Sequence, residues 1–202
     1  MRPLLRMIER QYALHGCVKI IDVGGTQHYW NLVPEKILLE NNVTITIVNV
    51  PGCSYPSNNG IFSFVQMDGC DLSAFGDKTF HIAHSNSVIE HVGDWGRMKQ
   101  FASELRRVAD AYFVQTPSFW FPIEPHCMTP LFHWLPKPWR VSLVLHFDLG
   151  HWEKQQNVDK AVEMVESARL LDKRMVASLL SDSCITTERF LLLPKSYVAI
   201  KE

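Results

Sequence analysis

Apolar residues follow two alternating patterns along the chain. Short runs of β-branched and other apolar residues have the length of buried strands, and between them apolar positions recur every three to four residues, as they do in helices. The runs predict strands at residues 18–23, 43–50, 61–67, 78–86 and 111–115. The second pattern predicts helices at residues 3–14, 29–40, 95–108, 159–171 and 173–180, the last of them capped by Asp172.

Two further strand patterns, at residues 184–193 and 197–200, end the chain and predict a hairpin that turns at residues 194–196. Strands that alternate with helices and end in a hairpin predict an α/β fold. This fold is a doubly wound, mostly parallel seven-stranded sheet with a C-terminal antiparallel hairpin. With 202 residues, 47% of them hydrophobic, the chain is expected to form a single domain over residues 1–202. The Ser-, Pro-, Asn- and Gly-rich residues 53–60 predict a loop.

Charge and hydropathy give no support to several classes of partner. The formal net charge of −1 gives no electrostatic reason to expect a nucleic acid, because phosphate backbones are met by clustered Lys and Arg. No apolar run reaches the roughly 18 residues of a membrane helix, so no membrane span is predicted. The first eleven residues hold several charges and predict no signal peptide.

Cysteine and histidine spacing predicts no metal site. The five cysteines are scattered and lack a Cys-x-x-Cys pair, which argues against a disulfide scaffold or structural zinc and favours a reducing cytoplasm. His81 and His84 lie three residues apart on a predicted strand, and that spacing sends side chains to opposite faces. We therefore interpret them as ordinary strand residues rather than a pair of metal ligands.

The first strand ends at paired glycines, Gly24 and Gly25, before a helical pattern. A strand, a glycine turn and a helix present free backbone N–H groups where a ligand can bind. A dinucleotide site would have further glycines where Thr26 and His28 stand, so a pyrophosphate cradle is disfavoured. Asp22, directly before the glycines, instead suits a ligand with a cationic amino-acid end and a neutral nucleoside. The alternative is a tight turn in a domain without a ligand.

Polar residues also follow the next three strands. Asn49 ends the second strand, where nucleoside-binding folds place an acid on the ribose hydroxyls, and its alternative role is a strand-ending turn. Asp68 followed by Gly69 can accept a hydrogen bond from the amine of adenine, although a plain turn would also explain the pair. Ser85 and Asn86 end the fourth strand, beside the glycine turn if the strands are neighbours, and could contact the same ligand.

Residues 117–158 differ in composition from the rest of the chain. The first 36 residues of this segment hold six of the eleven prolines, four of the six tryptophans and four of the nine histidines. Such a segment cannot form one long helix, and its aromatic residues must cover something. We interpret it as an insert that forms a lid over a substrate site. The alternatives are an interface in a homodimer, an extra packing layer, and, least favoured, a membrane-surface contact by residues 131–149.

Three stretches in register resemble the successive motifs of class I S-adenosylmethionine (SAM)-dependent methyltransferases. They are residues 20–26, 68–72 and 80–92, and the match in order and spacing covers about half of the chain, residues 18–115. A bacterial subgroup of that family, for which we know no settled substrate, also has counterparts of residues 115–126. The chain departs from the family pattern at Thr26, His28, Asn49 and His81.

The resemblance implies a Rossmann-like methyltransferase fold with SAM as the cofactor. Carried over by position, Asp22, Gly24 and Gly25 would hold the methionine end of SAM, and Ser85 and Asn86 would close over it. Asn49 would bind the ribose, and Asp68 with Gly69 the adenine. The implied partner is a small-molecule methyl acceptor, and the apolar residues of the insert suggest that it has an aromatic or aliphatic part.

Methyl transfer from a sulfonium is an in-line displacement that depends mainly on alignment in a site closed to water. A hydroxyl or amine acceptor also benefits from a general base, and histidine is the residue best suited to that role near neutral pH. The candidates are His126, with Glu124 able to orient it, and His91. A structural histidine in a packed segment is the alternative for each.

The sequence leaves two rival functions open. A non-catalytic module could keep the fold and bind the cofactor as a sensor, or bind nothing, and the thinned glycine turn favours it slightly. A nicotinamide-dependent oxidoreductase is the other rival. Calorimetry with SAM and S-adenosylhomocysteine separates an empty fold from a cofactor binder, and turnover then separates an enzyme from a sensor. Failure to bind NAD would remove the oxidoreductase.

Overall fold

A computed structural model describes residues 2–52 and 60–202 of the chain. The predicted loop at residues 53–60 therefore lies outside the described residues, except for Gly60. Seven strands form one sheet in the order β3-β2-β1-β4-β5-β7-β6. Their bounds are β1 Val18–Val23, β2 Val43–Asn49, β3 Phe62–Gln66, β4 Phe80–Asn86, β5 Ala109–Pro117, β6 Cys184–Phe190 and β7 Leu193–Lys201.

The first five strands are parallel, and β7 runs antiparallel between β5 and β6. Asp22 of β1 lies opposite His84 of β4, and Asn86 of β4 lies opposite Gln115 of β5. The strand order reverses between β1 and β4, so the carboxyl ends of these strands diverge into a crevice. The predicted doubly wound sheet with an antiparallel C-terminal hairpin is confirmed.

Helices cover both faces of the sheet. Their bounds are α1 Arg2–His15, α2 Gln27–Trp30, α3 Glu35–Glu40, α4 Trp95–Val108, α5 Lys137–His146, α6 Val158–Glu166 and α7 Lys173–Leu179. Apolar side chains of α1, α2 and α3 pack on one face, and those of α4 and α7 pack on the other. In the part of the chain that the structure describes, no helix is both long and apolar enough to cross a membrane.

Side-chain caps fix where three of these helices begin. Asp94, Asn157 and Asp172 each accept a hydrogen bond from the backbone N–H three residues later, which satisfies a donor that the first helical turn leaves free. The predicted cap at Asp172 is confirmed. The predicted helices at residues 3–14 and 95–108 are also confirmed, within one residue at each end.

Three sequence predictions were wrong in detail. The helix expected over residues 159–171 begins at Val158 and ends at Glu166. The helix expected over residues 29–40 is two short helices, because Pro34 has no N–H to donate and precedes the start of α3. The hairpin turns at Leu191 and Leu192, both with positive φ, and not at residues 194–196, which belong to β7. Two leucines carry no turn signal, whereas Pro194 does, so composition indicated the wrong position.

The insert has a small core of its own. It contains a 3₁₀ helix, Phe132–Trp134, and α5, and its buried Cys127, Phe132 and Val144 pack with Ala161 and Val165 of α6. An isolated bridge between Ser118 and Leu171 joins the start of the insert to the segment before α7. The insert therefore follows β5 directly and lies beside the carboxyl end of the sheet.

Candidate functional site

A cavity of about 370 Å³ opens at the carboxyl ends of β1 to β4, where the strand order reverses. This is the place where open α/β sheets bind ligands, and the volume lies within the usual range for ligand pockets. The cavity is lined by Val23, Gly24, Val48, Asn49, Val50, Met67, Asp68, Gly69, Ser87, Val88, His91, Val92, Arg97 and Phe101. The structure thus brings together five of the residues that the sequence predicted for the site: Gly24, Asn49, Asp68, Gly69 and His91.

Asp22 does not line this cavity. Successive side chains of a strand point to opposite faces, and Val23 takes the cavity side, so Asp22 points to the face that α2 covers. Its carboxylate is fully buried, where Oδ2 accepts from the indole N–H of Trp30 at 2.7 Å and Oδ1 pairs with Nδ1 of His84 at 2.6 Å. Direct contact with a ligand ammonium, the role predicted from the sequence, therefore has no support in this geometry.

The paired glycines let the turn after β1 pack closely. Gly24 has φ of +76°, which favours glycine, and a Cβ there would lie 2.4 Å from a methyl of Val88. A Cβ on Gly25 would lie 1.8 Å from the carboxylate of Asp22, so only glycine fits above that buried group. The glycine turn therefore packs against the Asp22 carboxylate on one side, and Gly24 borders the cavity on the other.

Asn49 and Asp68 form the next part of the wall. The amide of Asn49 donates to the carbonyl of Gly25 at 2.7 Å, which holds the glycine turn against β2. Asp68 accepts from the N–H of Cys70 at 2.9 Å and pairs with Arg97 at 2.5 Å. Burial alone would raise the pKa of Asp68, but the Cys70 N–H and the Arg97 guanidinium outweigh it and lower this pKa. The sequence analysis did not select Arg97 as a site residue.

The end of β4 differs from the prediction by one or two residues. Ser85 is buried and donates to the carbonyl of Val23, and Asn86 is not among the residues that line the cavity. Ser87, with φ of +56°, lines the cavity instead and donates to the side chain of Gln115 at 3.0 Å. The chain leaves β4 in a left-handed turn, which no residue type in the sequence signals.

Gly69 provides a stability test of the cavity floor. A Cβ there would lie 2.7 Å from Val23 Cγ1 and 2.9 Å from the ring of Phe101, so Gly69→Ala is expected to destabilise the chain by about 1–3 kcal/mol through overpacking. Gly76→Ala is the matched control, since its nearest neighbour would lie at an ordinary 3.5 Å. Urea unfolding of both variants measures the difference, and an equal effect at the two positions would contradict this packing.

The insert brings Glu124 and His126 together, as predicted. Oε1 of Glu124 pairs with Nδ1 of His126 at 2.7 Å, and Oε2 accepts from the backbone N–H groups of His126 and Cys127 at 2.8 Å each. Burial alone would raise the pKa of Glu124, but the hydrogen bonds from His126 and Cys127 lower it. Burial alone would lower the pKa of His126, and the neighbouring Glu124 carboxylate raises it.

His91 lies against His126, and Glu90 directly precedes His91 in the chain. The rings of His91 and His126 lie edge to face with centroids 4.6 Å apart, and Nδ1 of His91 lies 2.8 Å from the carbonyl of Ser167. Glu90 is buried, and its Oε2 accepts from the hydroxyl of Thr116 at 2.8 Å. Burial raises the pKa of Glu90 to about 7 and lowers that of His91. Sequence reasoning did not select Glu90, although it directly precedes a selected histidine.

A second cavity of about 360 Å³ lies beside the first and shares Ser87 with it. The insert contributes six lining residues, of which all but Ser118 are apolar: Pro117, Ser118, Phe121, Ile123, Pro125 and Met128. The remaining lining residues are Gln115, Lys195 and Ser196. The insert therefore forms a wall of a cavity that adjoins the predicted cofactor site.

No protein-family model matches the chain, and no curated protein matches it significantly. Solved structures with the same architecture do match. A SAM-dependent methyltransferase from Archaeoglobus fulgidus has a TM-score of 0.55 at 14% identity, over 99% of this chain and 93% of its own. One from Methanosarcina mazei has a TM-score of 0.52 at 15% identity, over 96% of this chain and 95% of its own.

A third match is described as a putative zinc-dependent alcohol dehydrogenase from Rhodobacter sphaeroides, with a TM-score of 0.54 at 12% identity over 91% of this chain and 83% of its own. The chain spans about half, 55%, of a longer O-methyltransferase family protein from Burkholderia thailandensis. At these identities the likeness establishes the fold. The chain has the Rossmann-like fold of the class I SAM-dependent methyltransferases.

Proposed function

We propose that this protein is a SAM-dependent methyltransferase acting on a small molecule with an apolar or aromatic part. The observation that supports this most directly is the pair of adjoining cavities. One lies at the switch point of the sheet and carries Gly24, Asn49 and Asp68, and the other is mainly apolar and meets it at Ser87. Such a pair offers one space for a cofactor and a neighbouring space for its methyl acceptor.

The polar groups of the first cavity fit the parts of SAM. Each carboxylate oxygen of Asp68 keeps acceptor capacity beyond its present partner and can accept from the adenine amine, next to Gly69. Asn49 has committed one amide hydrogen to Gly25, which leaves the other and its oxygen for the ribose hydroxyls. SAM would supply an electrophilic methyl group. Asp22, Gly25 and Ser85 support the walls of the site, and Asn86 lies next to Ser87.

The second cavity would hold the methyl acceptor. Its side chains from the insert exclude water and bind an apolar or aromatic group, which fits the role of a lid. Pro125, which lies between Glu124 and His126 in the chain, lines this cavity, and His91 lines the first one. In the role predicted from the sequence, Glu124 orients His126, whose Nε2 takes the proton of the acceptor.

Calorimetry with SAM and with its demethylated product, S-adenosylhomocysteine, tests the cofactor site. The full chain is expected to bind both at one site and to show no affinity for NAD. Absence of binding by both would leave a module that keeps the fold without its ligand. Release of S-adenosylhomocysteine over a panel of hydroxylated and amine-bearing aromatic molecules then separates an enzyme from a cofactor sensor.

Asn49→Ala is expected to weaken S-adenosylhomocysteine binding about tenfold. The substitution removes the hydrogen bond that holds the glycine turn, and a typical net hydrogen bond corresponds to roughly that factor. Asn31→Ala is the control, because Asn31 is exposed and does not line the cofactor cavity. Equal affinities for wild type and Asn49→Ala would remove Asn49 from the site.

A further inference from the structure

Glu90, His91 and His126 converge beside the cofactor cavity. One ring nitrogen of each histidine and one carboxylate oxygen of Glu90 lie within 4.8 Å of one another. Glu90 is 1% exposed, and its Oε1 has no hydrogen-bond partner among the residues that the structure describes. A buried carboxylate oxygen without a partner is costly, so its retention calls for a ligand. We propose that these three side chains bind a divalent transition-metal ion.

The hydrogen bond of His91 leaves one of its ring nitrogens free for a metal. Its Nδ1 lies 2.8 Å from the carbonyl oxygen of Ser167, and a carbonyl can only accept. Nδ1 therefore carries the hydrogen, and the lone pair of the neutral ring is on Nε2. Metal-binding histidines commonly donate their second nitrogen to a carbonyl or carboxylate in this way.

His126 is oriented by the equivalent contact with a carboxylate. Its Nδ1 lies 2.7 Å from Oε1 of Glu124, whose other oxygen is held by two backbone N–H groups. Glu124 is thereby fixed as an acceptor, so the lone pair of neutral His126 is also on Nε2. A carboxylate–histidine–metal arrangement of this kind fixes the tautomer and makes the ring a stronger ligand.

Two imidazoles and one carboxylate form a ligand set of known chemistry. It is typical of catalytic zinc sites and of other divalent transition metals, and it leaves at least one coordination position open. At metal–ligand distances of about 2.1 Å, tetrahedral donors lie roughly 3.4 Å apart. The three donors lie within 4.8 Å of one another, so any pair would close by at most about 1.4 Å. The expectation of no metal site came from cysteine and histidine spacing, which cannot detect ligands supplied by separate segments.

The three proposed ligands lie where the open coordination position of the metal could bind a substrate. His91 lines the cofactor cavity, and Pro125, next to His126, lines the apolar cavity. An ion between them would bind an acceptor oxygen and lower the pKa of that hydroxyl. This step rests on the proposed methyltransferase function, whereas the metal site itself does not. It also replaces the general base. The metal-bound hydroxyl would release its proton to solvent water, because Nε2 of His126 cannot bind a metal and accept that proton with the same lone pair.

Calorimetry with Zn²⁺ alone tests the site on the full chain after treatment with a chelator. The wild type is expected to bind one Zn²⁺ per chain, with at least about tenfold weaker binding by Glu90→Gln and His126→Ala. Glu124→Gln, which disturbs only the orientation of His126, is expected to weaken binding about tenfold or more while the thermal midpoint of the metal-free protein stays close to that of the wild type.

His146→Ala is the matched control. Nδ1 of His146 also binds a backbone carbonyl, that of Ser142 at 2.7 Å, but the ring is exposed and lies outside the cluster. Its affinity for Zn²⁺ should equal that of the wild type. Glu90→Gln preserves shape and the contact with Thr116, so it provides a folded variant should His126→Ala unfold.

Two results would overturn the metal site. One is the absence of saturable Zn²⁺ binding by the wild type. The other is wild-type affinity in Glu90→Gln and Glu124→Gln, since all variants keep the cysteines and Zn²⁺ would then be on thiolates. If the wild type binds S-adenosylhomocysteine but not Zn²⁺, only the metal-site proposal is refuted. If it binds Zn²⁺ but not S-adenosylhomocysteine, only the methyltransferase proposal is refuted.

Discussion

His126→Ala is expected to lower methyl transfer at least about 100-fold while the affinity for S-adenosylhomocysteine stays within about twofold of the wild type. His126 follows Pro125, which lines the second, mainly apolar cavity, and is not among the residues that line the cavity at the switch point of the sheet. Loss of a positioned catalytic group costs about two to four orders of magnitude in rate. The measurements are the rate of S-adenosylhomocysteine release with the best acceptor of the panel, and calorimetry of the cofactor product.

Glu124→Gln and His146→Ala are the comparison variants for the loss of activity in His126→Ala. Glu124 acts through His126, so its variant should lose less activity than His126→Ala and still bind S-adenosylhomocysteine normally. His146→Ala should retain full activity, because that ring is exposed and far along the insert from the cluster. Unchanged turnover in His126→Ala would remove the residue from the mechanism, whether as a base or as a metal ligand.

The sequence predicted the fold because the relevant signals are local. The strand at residues 18–23 has four β-branched residues among six and stops at paired glycines, and the helix at 95–108 has regular apolar spacing, so both were located to the residue. The hairpin turn could not be found this way. Leu191 and Leu192 adopt positive φ because the pairing of β6 with β7 imposes it, not because leucine favours it.

The grouping of residues around the cavity at the switch point of the sheet was predicted in part for the same reason. Residues that follow strands, such as Asn49 and Asp68, meet at one edge of a parallel sheet, and strand order alone brings them together. Arg97 was missed because helical periodicity distinguishes buried from exposed positions and says nothing about which exposed residue reaches a neighbouring loop. Glu90 was missed because its burial depends on the insert and on the segment before α7. In that segment, the backbone N–H of Arg169 donates to the backbone carbonyl of Glu90.

The contacts of the insert could be predicted from the sequence only in part. Its composition indicated an aromatic covering segment, and the structure gives it apolar residues along one cavity and a separate small core with α6. The contact of Glu124 with His126 follows from a two-residue spacing in a turn and could be anticipated. The approach of His126 to His91 joins residues 35 positions apart, and no pattern in either segment encodes that distance.

Asp22→Ala is expected to lower the free energy of unfolding by about 3 kcal/mol or more, in the absence of any cofactor. Asp22 accepts hydrogen bonds from Trp30 and His84 inside the core, and alanine would leave both donors buried without an acceptor. Each such group costs about 1–3 kcal/mol. For a chain of this size the loss corresponds to a fall of roughly 6–12 °C in thermal midpoint, which scanning calorimetry of the cofactor-free protein measures.

Asp77→Ala is the control for the removal of a paired carboxylate. Asp77 pairs with Arg107 at 3.0 Å, but its side chain is 76% exposed, so the loss should be below about 1 kcal/mol. The comparison separates the two roles of Asp22. If Asp22 only accepts from a ligand ammonium, Asp22→Ala keeps its thermal midpoint and loses cofactor affinity. If the Asp22 carboxylate instead supports α2 and the glycine turn, Asp22→Ala lowers the thermal midpoint of the cofactor-free protein. Cofactor affinity then falls as a consequence, because Gly24 and Gly25 lose the group on which they pack.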